Sequence, residues 1–87
     1  MSTDKANKEQ LRWACRRGML ELDLFLLPFF DKYYDHLTEA EKETLTKMLK
    51  EPDPQLHAWF MGQGSPLNKE FVLLVEKIRK SHFHTPS

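Results

Sequence analysis

The chain has 87 residues, of which 40% are hydrophobic and 30% are charged. This length and composition predict one small globular domain with a single modest core, and they exclude a chain that is disordered throughout. Thirteen basic residues balance thirteen acidic ones, and this net charge of zero argues against nucleic acid as the main ligand, because phosphate binding needs a basic surplus or stripe.

The first predicted helix covers residues 4–17, where Leu11, Ala14 and Cys15 form an apolar i, i+3, i+4 stripe. Cys15 is the single cysteine, so an internal disulfide is excluded, and its place on the stripe predicts a small buried hydrophobe. Trp13 lies off this stripe. Its side chain is therefore expected to pack either on the neighbouring helix or on another protein, where tryptophan is enriched as an anchor.

A charged corner follows the first helix and contains Arg17, Gly18 and Glu21. Capping explains these residue types, because a cation suits a helix C-terminus, glycine suits the C′ position and a carboxylate suits the next N-terminus. The alternative is an interface, in which both charges project from the corner towards a partner protein. The two explanations predict the same residue types and differ in what the side chains contact.

The second predicted helix, residues 19–36, is the most apolar segment. One face carries Leu20, Leu24 and Leu27, and the opposite face carries Leu22, Leu26, Phe29 and Tyr33. Two apolar faces predict a central helix that its neighbours cover on both sides, which would bury Leu24, Leu27 and Phe30. Pro28 lies inside the segment and predicts a kink or a break there.

Three further helices follow. Thr38 and Glu41 form a capping-box sequence at the start of residues 38–50, and Asp53 with Pro54 starts a short helix that Gly62 terminates. Asn68 is expected to cap the last helix, which is predicted to end near residue 80. No segment has the alternating pattern of a half-buried strand. The prediction is an all-α bundle of about five short helices, with one domain in residues 1–80 and a loose tail in residues 81–87.

The sequence contains no recognisable catalytic constellation or phosphate-binding loop, so we predict a protein that is not an enzyme and holds no cofactor. His82 and His84 stand in the predicted tail without a nearby cysteine or glutamate ligand and are expected to be solvated, and no metal site is predicted. His57 is expected to be structural or at the surface. The N-terminus lacks a signal peptide and the longest apolar run, residues 24–30, is too short to span a bilayer, which predicts a cytoplasmic protein.

The run from Trp13 to Asp23, followed by Pro28-Phe29-Phe30 and Tyr34-Asp35, closely resembles the SdhE (YgfY-type) family of FAD assembly factors for succinate dehydrogenase. The resemblance covers about residues 8–78 and includes the R-G-x-x-E motif of the family, here Arg17, Gly18 and Glu21. The later helices match more loosely, and His82 to His84 lie outside the pattern.

This resemblance implies a five-helix monomer that binds the flavoprotein subunit of succinate dehydrogenase, and in some bacteria that of fumarate reductase, and promotes covalent attachment of FAD. The bond-forming chemistry would belong to the flavin and its client, and direct FAD binding by this chain is not predicted. Some members are described as the antitoxin of a CptB-type toxin–antitoxin pair, which is the alternative function. The residues expected to bind the partner are Arg17, Gly18, Glu21, Trp13, Asp23 and Tyr34.

Overall fold

A computed structural model describes the backbone of residues 2–83 and the side chains of residues 8–83. Within this part the chain contains no strand, and the predicted all-α fold with five helices is confirmed. A short 3-10 turn, Tyr34–His36, follows the second helix. The helices are α1 (Ser2–Cys15), α2 (Leu20–Tyr33), α3 (Glu39–Met48), α4 (Asp53–Phe60) and α5 (Lys69–Phe83).

The helix starts follow local sequence signals. At α3 the Thr38 hydroxyl accepts a hydrogen bond from the Glu41 N–H at 3.1 Å, and the Glu41 carboxylate accepts one from the Thr38 N–H at 3.0 Å. This reciprocal pair is the predicted capping box. At α5 the Asn68 side-chain oxygen accepts a hydrogen bond from the Glu70 N–H at 2.8 Å, as predicted. At α4 the N-cap position is Pro52, one residue before the predicted Asp53.

Helix α2 is the centre of the fold and packs against α1, α4 and α5. Its buried side is a single face, formed by Leu22, Phe25, Leu26, Phe29 and Phe30. The prediction that both apolar faces are buried is wrong, because Leu20 and Leu24 are 73% and 49% exposed and Leu27 is only partly buried. Among the described residues, Leu20 and Leu24 on this second face remain exposed, so they form an apolar surface beside the corner, whereas Leu27 packs partly against the core.

The helix passes through Pro28 without a break. Proline has no N–H, so the carbonyl oxygen of Leu24, four residues earlier, loses its usual helical donor. His82 replaces this donor: its Nδ1 lies 3.2 Å from the Leu24 oxygen, and its ring stacks on Phe25 with the centroids 4.0 Å apart. A carbonyl only accepts hydrogen bonds, so Nδ1 carries the proton.

Helix α5 therefore extends to Phe83, beyond the predicted end near residue 80, and His82 belongs to this helix rather than to a tail, although its side chain is exposed. Its last turn packs on α2, which supplies the contacts that keep these residues helical. The rest of the predicted tail, including His84, lies outside the described residues. None of the helices in residues 2–83 combines the length and the apolar character needed to cross a bilayer.

Candidate functional site

The corner between α1 and α2 is built by backbone geometry. Helix α1 ends at Cys15, and Gly18 has a φ of +78°, a left-handed conformation that residues with a Cβ adopt at a cost. Chain neighbours apart, no described heavy atom lies within 4 Å of the position where a Cβ on Gly18 would stand. A left-handed φ is the conformation that favours glycine near a helix C-terminus, and here the glycine faces open space.

Asp23, in the first turn of α2, stabilises this corner through a hydrogen bond. Its carboxylate oxygen Oδ1 accepts a hydrogen bond from the Arg17 N–H at 2.8 Å. The Asp23 N–H is itself bonded to the carbonyl of Met19 at 3.0 Å. Asp23 was expected at the partner surface, but its carboxylate is occupied in holding the turn.

Arg17 turns inwards rather than towards solvent. Its Nε donates to Asp53 Oδ1 at 2.7 Å, Nη1 donates to the carbonyl of Leu49 at 2.7 Å, and Nη2 donates to the carbonyl of Glu51 at 2.9 Å. The Arg17 side chain is only 16% exposed. The expectation that Arg17 projects from the corner as an interface charge is therefore not met, because the guanidinium joins the corner to the segment between α3 and α4.

Glu21 does project from the corner, and its side chain is more than half exposed. One of its oxygens, Oε2, lies 2.8 Å from Nε2 of His57 in α4. The second oxygen, Oε1, makes no hydrogen bond to any residue in the described part of the chain. Glu21 therefore presents a free acceptor at the surface while its other oxygen is held.

Tyr34 lies in the core, although it was expected at the partner surface. Its ring stacks on Phe30 with centroids 4.5 Å apart, and the ammonium groups of Lys8 and Lys42 lie 5.8 and 4.9 Å from its centroid. Cations within about 6 Å of a ring centroid fit a cation–π arrangement. Tyr34 is therefore a packing residue that ties α2 to its neighbours.

Exposed apolar side chains lie close in the chain to the projecting carboxylate. Trp13 is 72% exposed, so the structure excludes the packing on a neighbouring helix that the sequence left open. Met19, Leu20 and Leu24 are also exposed beside the corner or on the next turn of α2. Apolar side chains grouped in this way are typical of a protein-binding surface. We call this set the corner surface: Trp13, Gly18, Met19, Leu20, Glu21 and Leu24.

Among the described residues, neither the single cysteine nor the histidine and acidic side chains form a competing chemical site. Cys15 is fully buried, and this desolvation raises the pKa of its thiol to about 12, so the thiolate is scarce at neutral pH. Within residues 8–83 no three histidine, cysteine or acidic side chains are grouped closely enough to hold a metal ion. The corner surface is therefore the main candidate for function.

The part played by α4 was not predicted from the sequence. Asp53 and His57 are four residues apart, and so are Arg17 and Glu21. Residues four apart on a helix lie on one face, so one face of α4 can contact both charged residues of the corner. The equal spacing and complementary chemistry were visible in the sequence, but they identify no contact without knowledge that α4 lies beside the corner.

Comparisons with known proteins give matches over most of the chain. The model of the Sdh5 family, described as the flavinator of succinate dehydrogenase, matches residues 9–82. The protein named FAD assembly factor SdhE from Vibrio cholerae is 46% identical over 71 residues, which cover 82% of this chain and 83% of that protein. Proteins of the same name from Colwellia psychrerythraea and Yersinia pseudotuberculosis are 43% and 42% identical, over 86% and 84% of this chain and 87% and 83% of their own lengths.

Proposed function

Because this chain belongs to the Sdh5 family of succinate dehydrogenase flavinators, we propose that it is an FAD assembly factor. It promotes the attachment of FAD to the flavoprotein subunit of succinate dehydrogenase. The relatives described above carry the name of FAD assembly factors, which supports this function. Neither they nor the family model supports the alternative of an antitoxin.

The corner surface is the part of the molecule proposed to bind the flavoprotein subunit. The observation that carries this assignment is the Glu21 carboxylate, which has one free oxygen and lies within three residues in the chain of the exposed apolar side chains of Met19, Leu20 and Leu24. Apolar area removed from water favours association, and a carboxylate that must be desolvated selects a partner with a matching donor. Gly18 leaves room for close approach of the partner backbone.

The residues of the motif have different tasks in this proposal. Glu21 and Gly18 would contact the flavoprotein subunit, together with Trp13, Leu20 and their apolar neighbours. Arg17 would act from inside, because its guanidinium is bonded to Asp53 and to backbone carbonyls. Asp23 and Tyr34 would maintain the shape of the corner and of α2.

The mechanism proposed is a shift in the conformational population of the client. The chain would bind the conformer of the flavoprotein subunit that is competent for flavin attachment more tightly than the other conformers. The bond-forming chemistry would then belong to the flavin and the subunit, and the chain would act without a catalytic group of its own. The flavoprotein subunit of fumarate reductase is proposed as a second client, and the free chain is proposed to be a monomer.

The test is attachment of FAD to a purified apo flavoprotein subunit of succinate dehydrogenase, with and without this chain, read as covalent flavin fluorescence after denaturing electrophoresis. We expect the chain to increase covalent flavin and Glu21→Ala to reduce this increase. The matched control is Glu76→Ala, which removes an exposed glutamate from α5. A wild-type chain that leaves covalent flavin unchanged would refute the proposed function.

A further inference from the structure

Helix α4 is bonded to both charged residues of the corner. Asp53 Oδ1 lies 2.7 Å from the Nε of Arg17, and His57 Nε2 lies 2.8 Å from Oε2 of Glu21. Both pairs join residues 36 positions apart in the chain. The first pair fixes α4 against the corner, and the second falls one turn further along the same helix.

The contact with His57 defines how Glu21 is presented. A carboxylate only accepts hydrogen bonds, so the ring nitrogen Nε2 must carry the proton and donate it. The His57 side chain is only partly exposed, and its position is set by a helix that Arg17 already holds. Glu21 is more exposed and has three rotatable bonds. The better-fixed residue therefore orients the more mobile one, and Oε1 is directed to solvent.

We infer that His57 is a positioning residue that holds the Glu21 carboxylate in the orientation that the flavoprotein subunit binds. This inference rests on the proposed function. The group that Glu21 meets on the subunit is a hydrogen-bond donor, either a cationic side chain or an N–H group, because Oε1 can only accept. His57 would make no contact with the subunit itself.

The benefit of this arrangement is preorganisation. A glutamate that is free in solution must lose side-chain rotamers when the partner binds, which weakens association, whereas a glutamate held by His57 has already lost them. The ordering of one long side chain corresponds to an affinity change of about two- to tenfold. This is the size of effect that loss of His57 should have on the Kd for the subunit.

A double-mutant cycle on the affinity for the apo flavoprotein subunit tests the inference. His57→Leu removes the donor and should raise the Kd about two- to tenfold. His57→Gln should remain close to the wild type, because its side-chain amide can donate from about the position of Nε2. In a Glu21→Ala background, His57→Leu should have no further effect on the Kd, because the carboxylate that it positions is gone.

A purely structural role for His57 makes different predictions. His57→Leu would then lower the melting temperature and raise the Kd equally in both backgrounds, and His57→Gln would not restore binding. Either result would overturn the inference, as would a Glu21→Ala chain that binds normally. A wild-type chain that does not bind the subunit at all would instead refute the proposed function, and the positioning role with it.

Discussion

Arg17 has a guanidinium whose three nitrogens all donate to other parts of the chain. Besides Asp53 and the carbonyls of Leu49 and Glu51, its Nη1 lies 3.1 Å from the carbonyl of Ala14 at the end of α1. These acceptors belong to three different parts of the fold. A rigid fork of five N–H donors suits such a junction better than the single ammonium of lysine.

Arg17→Ala is therefore expected to destabilise the fold, although the sequence alone predicted that the melting temperature would stay within a few degrees of the wild type. It would leave Asp53 and several carbonyls without their donor, at a cost of about 2–4 kcal/mol. Arg17→Lys should recover only part of this loss. Urea denaturation measures the free energy of unfolding, and Glu21→Ala is the control, with an expected loss below about 1 kcal/mol. Equal stabilities of Arg17→Ala and Glu21→Ala would contradict the structural role of Arg17.

A side chain at position 18 is expected to fit sterically but to strain the backbone. Gly18→Arg would meet no described atom within 4 Å of its Cβ, yet a non-glycine residue at a φ of +78° costs about 1–2 kcal/mol. The chain should stay folded, while its affinity for the flavoprotein subunit falls because a long side chain occupies the corner surface. Gly64→Arg is the matched control, since Gly64 is also open but lies in the loop between α4 and α5. Similar binding by both variants would place the interface elsewhere.

At the scale of the elements, the two apolar faces of α2 are expected to have different roles. The buried face stabilises the fold, and the exposed face binds the partner. Leu26 is fully buried and Leu24 is half exposed, although both are leucines in the same helix. Leu26→Ala should cost about 2–5 kcal/mol, because it leaves a cavity in the core. Leu24→Ala should cost less than about 1 kcal/mol and should instead weaken binding of the flavoprotein subunit. Urea denaturation and Kd measurements on this pair test the assignment, which equal losses of stability would contradict.

The contact between His82 and the carbonyl of Leu24 links α5 to the proline position of α2. His82→Leu should cost about 0.5–1.5 kcal/mol, since it removes a hydrogen bond. Pro28→Ala supplies a new helical N–H for the same carbonyl. The loss of stability caused by His82→Leu should therefore be smaller in a Pro28→Ala background. Urea denaturation of the four chains measures this coupling, and strictly additive losses would show that the two residues do not share the carbonyl.

At the scale of the whole molecule, ion pairs connect helices that are distant in sequence. Hydrogen bonds from Arg12 lower the pKa of Asp31, and those from Lys8 lower the pKa of Asp35. These two ion pairs join α1 to α2 and to the 3-10 turn that follows it. The hydrogen bond from Lys77 lowers the pKa of Glu41 and joins α5 to α3, with further lowering from the backbone of Thr38.

These shifts predict how stability changes with acid. A carboxyl with a lowered folded pKa contributes stability above its ordinary pKa, and this contribution is lost as the pH falls through the folded value. The ordinary values are 3.8 for aspartate and 4.5 for glutamate. The urea midpoint should therefore fall as the pH drops below about 4.5. Because the pairs are largely exposed, salt should reduce the effect, and so should Asp31→Asn. A midpoint that is constant across this range would contradict the contribution of these pairs.

The sequence determined the helices and the family. Capping residues such as Thr38 and Asn68 act within one turn, apolar spacing reports which residues share a helix face, and the run around Gly18 identifies the family; all of these signals are local. Only the tertiary structure decided which face of α2 is buried, because periodicity groups residues without saying which group meets the core. It also decided that Arg17 reaches the segment between α3 and α4 and that His57 meets Glu21, since these contacts join residues 32 or more positions apart in the chain.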